Sequence, residues 1–553
     1  MNSLIVHNDN VTYLDDFTHK IKFKTTNEID KYISDDILLT IKEINPDVIF
    51  IKDNLSEHYL ELIGIRLAYH VRLSRELGDL RFLPIVILSD LDSFMLNKIN
   101  SMSRIFFTKN TFTISNNRSS VEAINNKPMK NMSVYEYNND FMNSIDIATP
   151  DDSSEHSITN SWAIYQWSNL LGLSTEIFSK LHFKYLIAKH QLQNKSKNSI
   201  HQKQKSGNIL LIDDKWSDGW KEVLNEFTVQ QYTDVTLDIL EYKFKDKTIE
   251  SIKEVLNEKL NVLIPDIILL DLRLLESDNI IGINDKKSIN RLSGIQIIGE
   301  IKKINLGIQI IMFTASGDSL ILEEIHNKGV LGYVKKDAPT DKYESSKNSF
   351  KKLDTLIKKG IDKNYLKKIW KLEKDILRQP FLQNTKELSS ENQQVIFELR
   401  KNIQFVFEIL NSNVPNPFVY AMLAIFKSIE LLNDYYIEEE WMKNKKYSFW
   451  KGSGNKIQTL DYGTLRDTKD GDYNLSSENK IMAIIKENTS IQEDSIDNDI
   501  KQFICSRNYA MHPSEKDSCR DFLIKEPKAE HIVGWFEMLY KITSKIQNKK
   551  NIL

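Results

Sequence analysis

Three apolar runs, each of strand length and each ending in polar residues, constrain the middle of this chain more than any other feature. NILLIDDK (208–215), PDIILLDLRLL (265–275) and IIMFTASG (310–317) read as strands buried on both faces, and GYVKKD (332–337) follows closely. Buried parallel strands of an open α/β sheet deliver polar side chains to the sheet's carboxyl edge, where ligands bind. Asp213, Asp214, Asp271, Thr314 and Lys336 are expected to converge there. Three carboxylates suit Mg²⁺, which takes oxygen ligands and shares them with phosphate oxygens. A carboxylate can also attack phosphorus and form an acyl phosphate. The hydroxyl and the ammonium would then contact the phosphoryl oxygens.

This arrangement resembles the receiver domain of two-component response regulators over residues 208–348. The resemblance implies a flavodoxin-like, doubly wound parallel sheet with Asp271 as phosphoacceptor. On it, Asp213 and Asp214 are the acidic pair that holds Mg²⁺ together with Asp271. Thr314 is the switch hydroxyl and Lys336 the lysine that closes on the phosphoryl group. Lys336 fits better than Lys335 because the family pattern reads Gly-aromatic-x-x-Lys. The glycine that follows the phosphoacceptor in the family is Gly294, delayed here by an insertion over 276–292. Glycine-rich ATP-binding boxes of a histidine kinase are missing from the sequence. The phosphoryl group is therefore expected from a separate histidine kinase or another phosphodonor.

The amino-terminal portion repeats the middle without its chemistry. PDVIFIKD (46–53) lies over PDIILLDL and places Lys52 where Asp271 sits. LIGIRLAYHVR (62–72) puts Gly64 on Gly294, and IVILSD (85–90) puts Ser89 on Thr314. RIFFTKN (104–110) offers Lys109 for Lys336, while His7 and Asn8 stand where the acidic pair should be. Residues 1–112 thus resemble a second receiver domain lacking its acidic pocket and phosphoacceptor. Lys52 cannot form an acyl phosphate, and its charge repels Mg²⁺. Either its ammonium stands in for the metal, or the fold is kept as a docking or dimerisation surface.

A chain of 553 residues implies several domains, and 41% hydrophobic with 27% charged residues is ordinary globular composition. The formal net charge of −3 gives no global sign of nucleic-acid binding, so any RNA contact must be local. The two cysteines, Cys505 and Cys519, are too few for a disulfide framework and read as thiols in a reducing cytoplasm. No apolar run reaches membrane-spanning length, and a cytoplasmic protein without membrane contact is expected. Residues 113–206 read as a linker, Asn/Ser-rich at first, with one or two packed helices over 161–191.

Residues 349–553 read as a helical bundle, with helices expected over 389–410, 416–442, 500–511 and 528–546 around a polar loop region. The whole is thus α/β plus all-α. The bundle carries ICSRNYAMHPS (504–514), in which Arg507, Asn508 and His512 resemble the active motif of HEPN-domain ribonucleases. On an uninterrupted helix residues five apart point about 140° away from each other. Pro513 is expected to end the helix at His512, letting the imidazole turn back toward the guanidinium. The resemblance implies a homodimer with a composite, metal-independent site for cleaving RNA, needing no cofactor. Arg507 would hold the phosphate, His512 exchange protons and Asn508 orient the backbone or phosphate. Such an effector under phosphorylation control fits bacterial antiviral defence or stress response. The alternative is a non-enzymatic response regulator whose helical domain binds a partner protein, with Arg507 and His512 structural. A DNA-binding output ranks last, because no helix there is an obvious basic recognition helix.

Overall fold

The computed structural model describes residues 2–8, 13–26, 28–58, 61–99, 101–147, 155–173, 179–189, 202–281, 285–315, 319–337, 343–386 and 388–438. It further describes 447–450, 457–460, 466–467, 473–474, 477–489, 491–492, 496–512 and 521–546. Its first half is built on β1 (Ser3–His7), β2 (His19–Lys22), β3 (Val48–Lys52), β4 (Ile85–Leu88) and β5 (Thr111–Ile114). The middle is built on β6 (Lys203–Ile212), β7 (Tyr232–Ile239), β8 (Ile267–Leu270), β9 (Gln309–Thr314) and β10 (Gly332–Lys335). Both sheets are five-stranded and parallel throughout, in the orders β2-β1-β3-β4-β5 and β10-β9-β8-β6-β7. Read from matching edges the orders are the same, a flavodoxin-like winding whose switch point lies between the first and third strands.

The apolar runs are continuous because helices cover both faces of each sheet. Ile209 and Leu211 of β6 pack on one side with Trp220, Phe227 and Leu353. Leu210 and Ile212 pack on the other with Ile252 and Ile298. The same alternation splits β3, with Ile49 and Ile51 in one core and Val48 and Phe50 in the other. Each such side chain contributes roughly 1.5–3 kcal/mol when fully buried, which leaves little freedom in register.

Two glycines fix where the following helices start. A Cβ on Gly64 would lie 1.8 Å from the Lys52 carbonyl oxygen, and one on Gly294 would lie 2.3 Å from that of Asp271. Helices Ile63–Leu73 and Ser293–Ile304 can therefore press on their strand ends only with glycine there. The insertion of the second unit folds into the short turns Glu276–Ile280 and Lys286–Ile289. Buried Asp278 holds it by accepting the Leu274 and Leu275 N–H groups, each at 3.1 Å.

Residues 113–206, expected as a linker with one or two packed helices over 161–191, begin to pack earlier than that among their described residues. Helix Arg118–Asn125 lays Val121 and Ile124 on the first sheet, and Tyr137, Phe141 and Met142 enter the core beside helix Ile63–Leu73. Wide spacing of these anchors among Asn and Ser hid them. Helices Glu155–Leu171 and Leu181–Lys189 follow, and the strand β6 reaches back to Lys203. The second of these helices is wedged between the two units. Leu181, Tyr185 and Ala188 join the first core, whereas Phe183, Leu186 and Ile187 join the second.

The boundary expected at 348 falls inside helix Tyr343–Ile361, whose Leu353, Ile357 and Ile361 belong to the second sheet's core. Helix Tyr365–Leu377 then opens the carboxyl-terminal helical region and docks at the amino edge of that sheet. Lys367 pairs with Asp266 at 2.6 Å, and a Cβ on Gly307 would meet the Leu366 backbone at 2.4 Å. Helices Ser390–Asn411, Pro417–Tyr436, Ser477–Asn488, Asp497–Met511 and Ala529–Lys545 share one core. The second of them stops at Tyr436, short of the expected 442, where an antiparallel strand Ile437–Glu438 pairs with Tyr447–Trp450. Among the described residues no helix is long and apolar enough to cross a membrane.

Candidate phosphoacceptor site

The carboxyl ends of β6, β8, β9 and β10 bring together Asp213, Asp271, Thr314 and Lys336, all fully buried, with Asp214 partly exposed beside them. Carboxylate oxygens of Asp213, Asp214 and Asp271 lie within 4.8 Å of one another. The Lys336 Nζ donates to Asp213 Oδ2 at 2.7 Å and to Asp271 Oδ2 at 2.8 Å. The Lys336 N–H also donates to the Thr314 carbonyl at 2.7 Å, which ties the lysine to the end of β9. Asp271 Oδ1 accepts the N–H of Leu272 at 2.6 Å, and Asp213 Oδ1 accepts that of Lys215 at 2.8 Å.

Three carboxylates face one ammonium, so the cluster is short of positive charge. Burial pushes the Asp213 carboxyl up to about 6, a rise the Lys336 ammonium opposes and the Asp271 charge reinforces. Asp214 is held well above the carboxylate range by burial and by the charges of Asp213 and Asp271. Burial works against the Lys336 charge, yet the two carboxylates raise this lysine above its ordinary value. Asp214 Oδ1 is buried with no hydrogen-bond partner among the described residues. Hard oxygen donors, an excess of negative charge and this orphaned oxygen all fit a divalent cation such as Mg²⁺.

Behind the pocket stand residues that sequence reasoning did not single out. The Lys336 ammonium lies 5.2 Å from the Phe313 ring centre and 5.4 Å from that of Trp220. Trp220 Nε1 in turn donates to Asn160 Oδ1 at 3.1 Å. Only the high density of tryptophan near both segments could have pointed to this contact.

Strand register puts His7, Asn8, Lys52 and Ser89 of the first unit on Asp213, Asp214, Asp271 and Thr314 of the second. Buried Asp53, one residue beyond Lys52, takes the Ser89 hydroxyl on its Oδ2 at 2.6 Å. Lys109, expected at the Lys336 position, does not occupy it. Residues 101–107 form 3-10 turns and the fifth strand is Thr111–Ile114, so register places Asn116 on Lys336. Lys109 lies on the surface, paired with Asp140 at 2.9 Å and Glu136 at 3.2 Å. Asn116 Oδ1 instead accepts the Tyr13 hydroxyl at 2.5 Å.

In the helical region, helix Asp497–Met511 ends with His512 as its exposed, extended C-cap. Arg507 Nη1 donates to Asn508 Oδ1 at 3.0 Å, and the guanidinium lies 3.8 Å above the Phe426 ring. Its Nε is buried without a hydrogen-bond partner, and no hydrogen bond joins Arg507 to His512 among the described residues. Pro513 and Cys519 lie outside the described residues. Cys505, expected as a thiol, is disulfide-bonded.

No curated protein matches this chain. Residues 4–114 match the family of Inactive Receiver domains, which agrees with a receiver-like unit stripped of its acidic pocket and gives the chain a regulator-like character.

Proposed function

We propose that the second α/β unit is a phosphoacceptor that controls a ribonucleolytic helical effector. The observation that carries this reading is the buried Asp213–Asp214–Asp271 cluster closed by Lys336. Asp271 attacks the phosphorus of a kinase phosphohistidine or a small acyl phosphate. The bond from phosphorus to the donor's nitrogen or oxygen breaks, and its electron pair leaves with the donor. Asp213, Asp214 and Asp271 would hold Mg²⁺, which neutralises charge on the phosphoryl oxygens. Lys336 exchanges a carboxylate partner for a phosphoryl oxygen, and the Thr314 hydroxyl turns to another.

Arg507, Asn508 and His512 form the effector site, completed by a second copy of the chain. The RNA 2′-oxygen attacks the adjacent phosphorus and the bond to the 5′-oxygen breaks, leaving a cyclic phosphate and a 5′-hydroxyl. His512, exposed at a helix end, moves the proton, and Arg507 neutralises the phosphate. A cytoplasmic role in bacterial defence or stress response fits such an output.

Stacking of Arg507 on Phe426 favours a second reading, in which this arginine is structural and the helical region binds a partner protein. One experiment separates them. Purified protein is incubated with total RNA in EDTA, with and without prior treatment with Mg²⁺ and acetyl phosphate, beside His512→Ala. Cleavage by wild type alone, with cyclic-phosphate ends, is expected. Equal cleavage by both proteins, or none under either condition, overturns the ribonuclease reading.

A further inference from the structure

We propose that helices Glu155–Leu171 and Leu181–Lys189 are an output surface of the phosphoacceptor unit, and that its internal partner is the inactive receiver-like unit. The inference rests on Asp271 being the phosphoacceptor. Its starting point is Lys336, whose ammonium must leave at least one carboxylate to meet a phosphoryl group. That ammonium faces Trp220 and Phe313 as well as Asp213 and Asp271. Moving it changes the charge against the Trp220 ring, and Trp220 is bonded through Nε1 to Asn160 on helix Glu155–Leu171. Trp167 of the same helix packs edge-on to Trp220 at 5.9 Å and to Phe313 at 5.6 Å. Rings packed this closely do not shift singly, because neighbouring atoms fill the space.

The next helix carries the contact across. The Leu181 N–H donates to Asp30 Oδ2 at 2.8 Å, and Asp30 also takes Arg66 Nη2 at 2.8 Å and His70 Nε2 at 2.9 Å. Buried Lys184 donates to Ser74 Oγ at 2.7 Å and Ser34 Oγ at 2.9 Å, and lies 3.3 Å from Glu76 Oε1. Arg75 Nη2 donates to the Ile187 carbonyl at 3.1 Å. Buried donors and acceptors of this kind penalise any partial slip, since a lost partner leaves an unsatisfied group. The helical region, by contrast, docks at the amino edge of the sheet through Lys367 and Asp266, the end opposite the pocket. A packed route out of the pocket thus leads through Trp220 and Asn160 toward the amino-terminal unit.

The test is hydrogen–deuterium exchange on the full chain, with and without Mg²⁺ and beryllofluoride as the phosphoryl probe. Slowed exchange at 271–275 reports binding. Binding accompanied by a change of about fivefold or more at 181–189 is expected. In Asn160→Ala, binding should persist while the change at 181–189 falls away. Trp220→Phe serves the same purpose should that variant not fold. Binding with unchanged exchange at 181–189 overturns the inference and leaves the proposed function standing. An undiminished response in the variants overturns the route through Trp220 and Asn160. No protection at 271–275 overturns the phosphoacceptor reading and this inference with it.

Discussion

Two pockets sit at the same place on two sheets of the same winding, and they balance charge in different ways. In the second unit a carboxylate follows Leu270, and the ammonium of Lys336, the residue after β10, reaches it at 2.8 Å. In the first unit the matching residue is Lys52, and the carboxylate appears one position later as Asp53, where it accepts a hydrogen bond from Ser89. The first pocket thus ties up the hydroxyl of Ser89 internally and, among the described residues, gathers no comparable cluster of carboxylates. The second keeps three carboxylates against one lysine, an arrangement that costs stability unless further positive charge balances it. A shared backbone frame, fixed by Gly64 and Gly294, permits either solution, so the difference lies in the few side chains at the strand ends.

The largest expected contrast is all-or-none. Acetyl phosphate with Mg²⁺ should label the wild-type chain at one aspartate, and Asp271→Asn should abolish the label. Lys52→Asp in that background should not restore it, because His7 and Asn8 cannot replace Asp213 and Asp214. Mass spectrometry of the phosphoaspartate checks both; labelling at position 52 would mean that the first pocket lacks only its acceptor.

Next in size is the stability of the two lysines. Lys336→Met removes the ammonium from Asp213 and Asp271, both fully buried, and should cost about 3–5 kcal/mol in metal-free denaturant unfolding. Lys52→Met should stay within about 0.5 kcal/mol, as usual away from buried pairs. Equal losses would show that Lys52 too neutralises a buried charge.

The amino-terminal unit has its own acid-sensitive point. Buried His70 faces Asp30, Arg66 and Lys184, and burial, with the charges of Lys184 and Arg66, lowers its pKa from 6.5 to about 4 against the pull of Asp30. The unfolded chain therefore takes up this proton first as pH falls. Stability present above pH 6.5 is lost toward pH 4, by at most about 3 kcal/mol. Unfolding midpoints of wild type and His70→Gln across that window isolate the effect, which should vanish in the variant.

The strands and the residues at their ends were legible in the sequence because burial on both faces writes a continuous apolar run, and the repeat writes it twice. Asp213, Asp214, Asp271 and Thr314 could be placed by their position at the ends of those runs, whereas choosing Lys336 over Lys335 needed the family pattern. Trp220 and Asn160 could not be placed, since both lie on helices and nothing local fixes which side a helix turns to the pocket. The packed elements over 118–144 were hidden by polar composition, whereas the apolar helices within 161–191 were legible, and Cys505 was hidden by the rule that two cysteines make no framework. For Arg507 and His512 the helix end was legible, but the seat of the guanidinium on Phe426 depends on a distant helix.

Lys109 shows how a plausible run misleads. RIFFTKN is aromatic and apolar enough for a strand, yet its first four residues lie in 3-10 turns, while the true fifth strand, TFTI, has one buried residue among four and hides among polar neighbours. A mild pair of substitutions tests the corrected register. Lys109→Ala removes surface ion pairs with Glu136 and Asp140 and should leave the unfolding midpoint where it was. Asn116→Ala removes the acceptor of the Tyr13 hydroxyl and should cost about 1 kcal/mol, the ordinary net worth of one such hydrogen bond. Burial already raises the Tyr13 hydroxyl to about 12, so the lost partner leaves a neutral donor seeking water rather than a charge. A larger loss at 109 than at 116 would return Lys109 to the sheet edge and break the correspondence between the two pockets at its fifth strand.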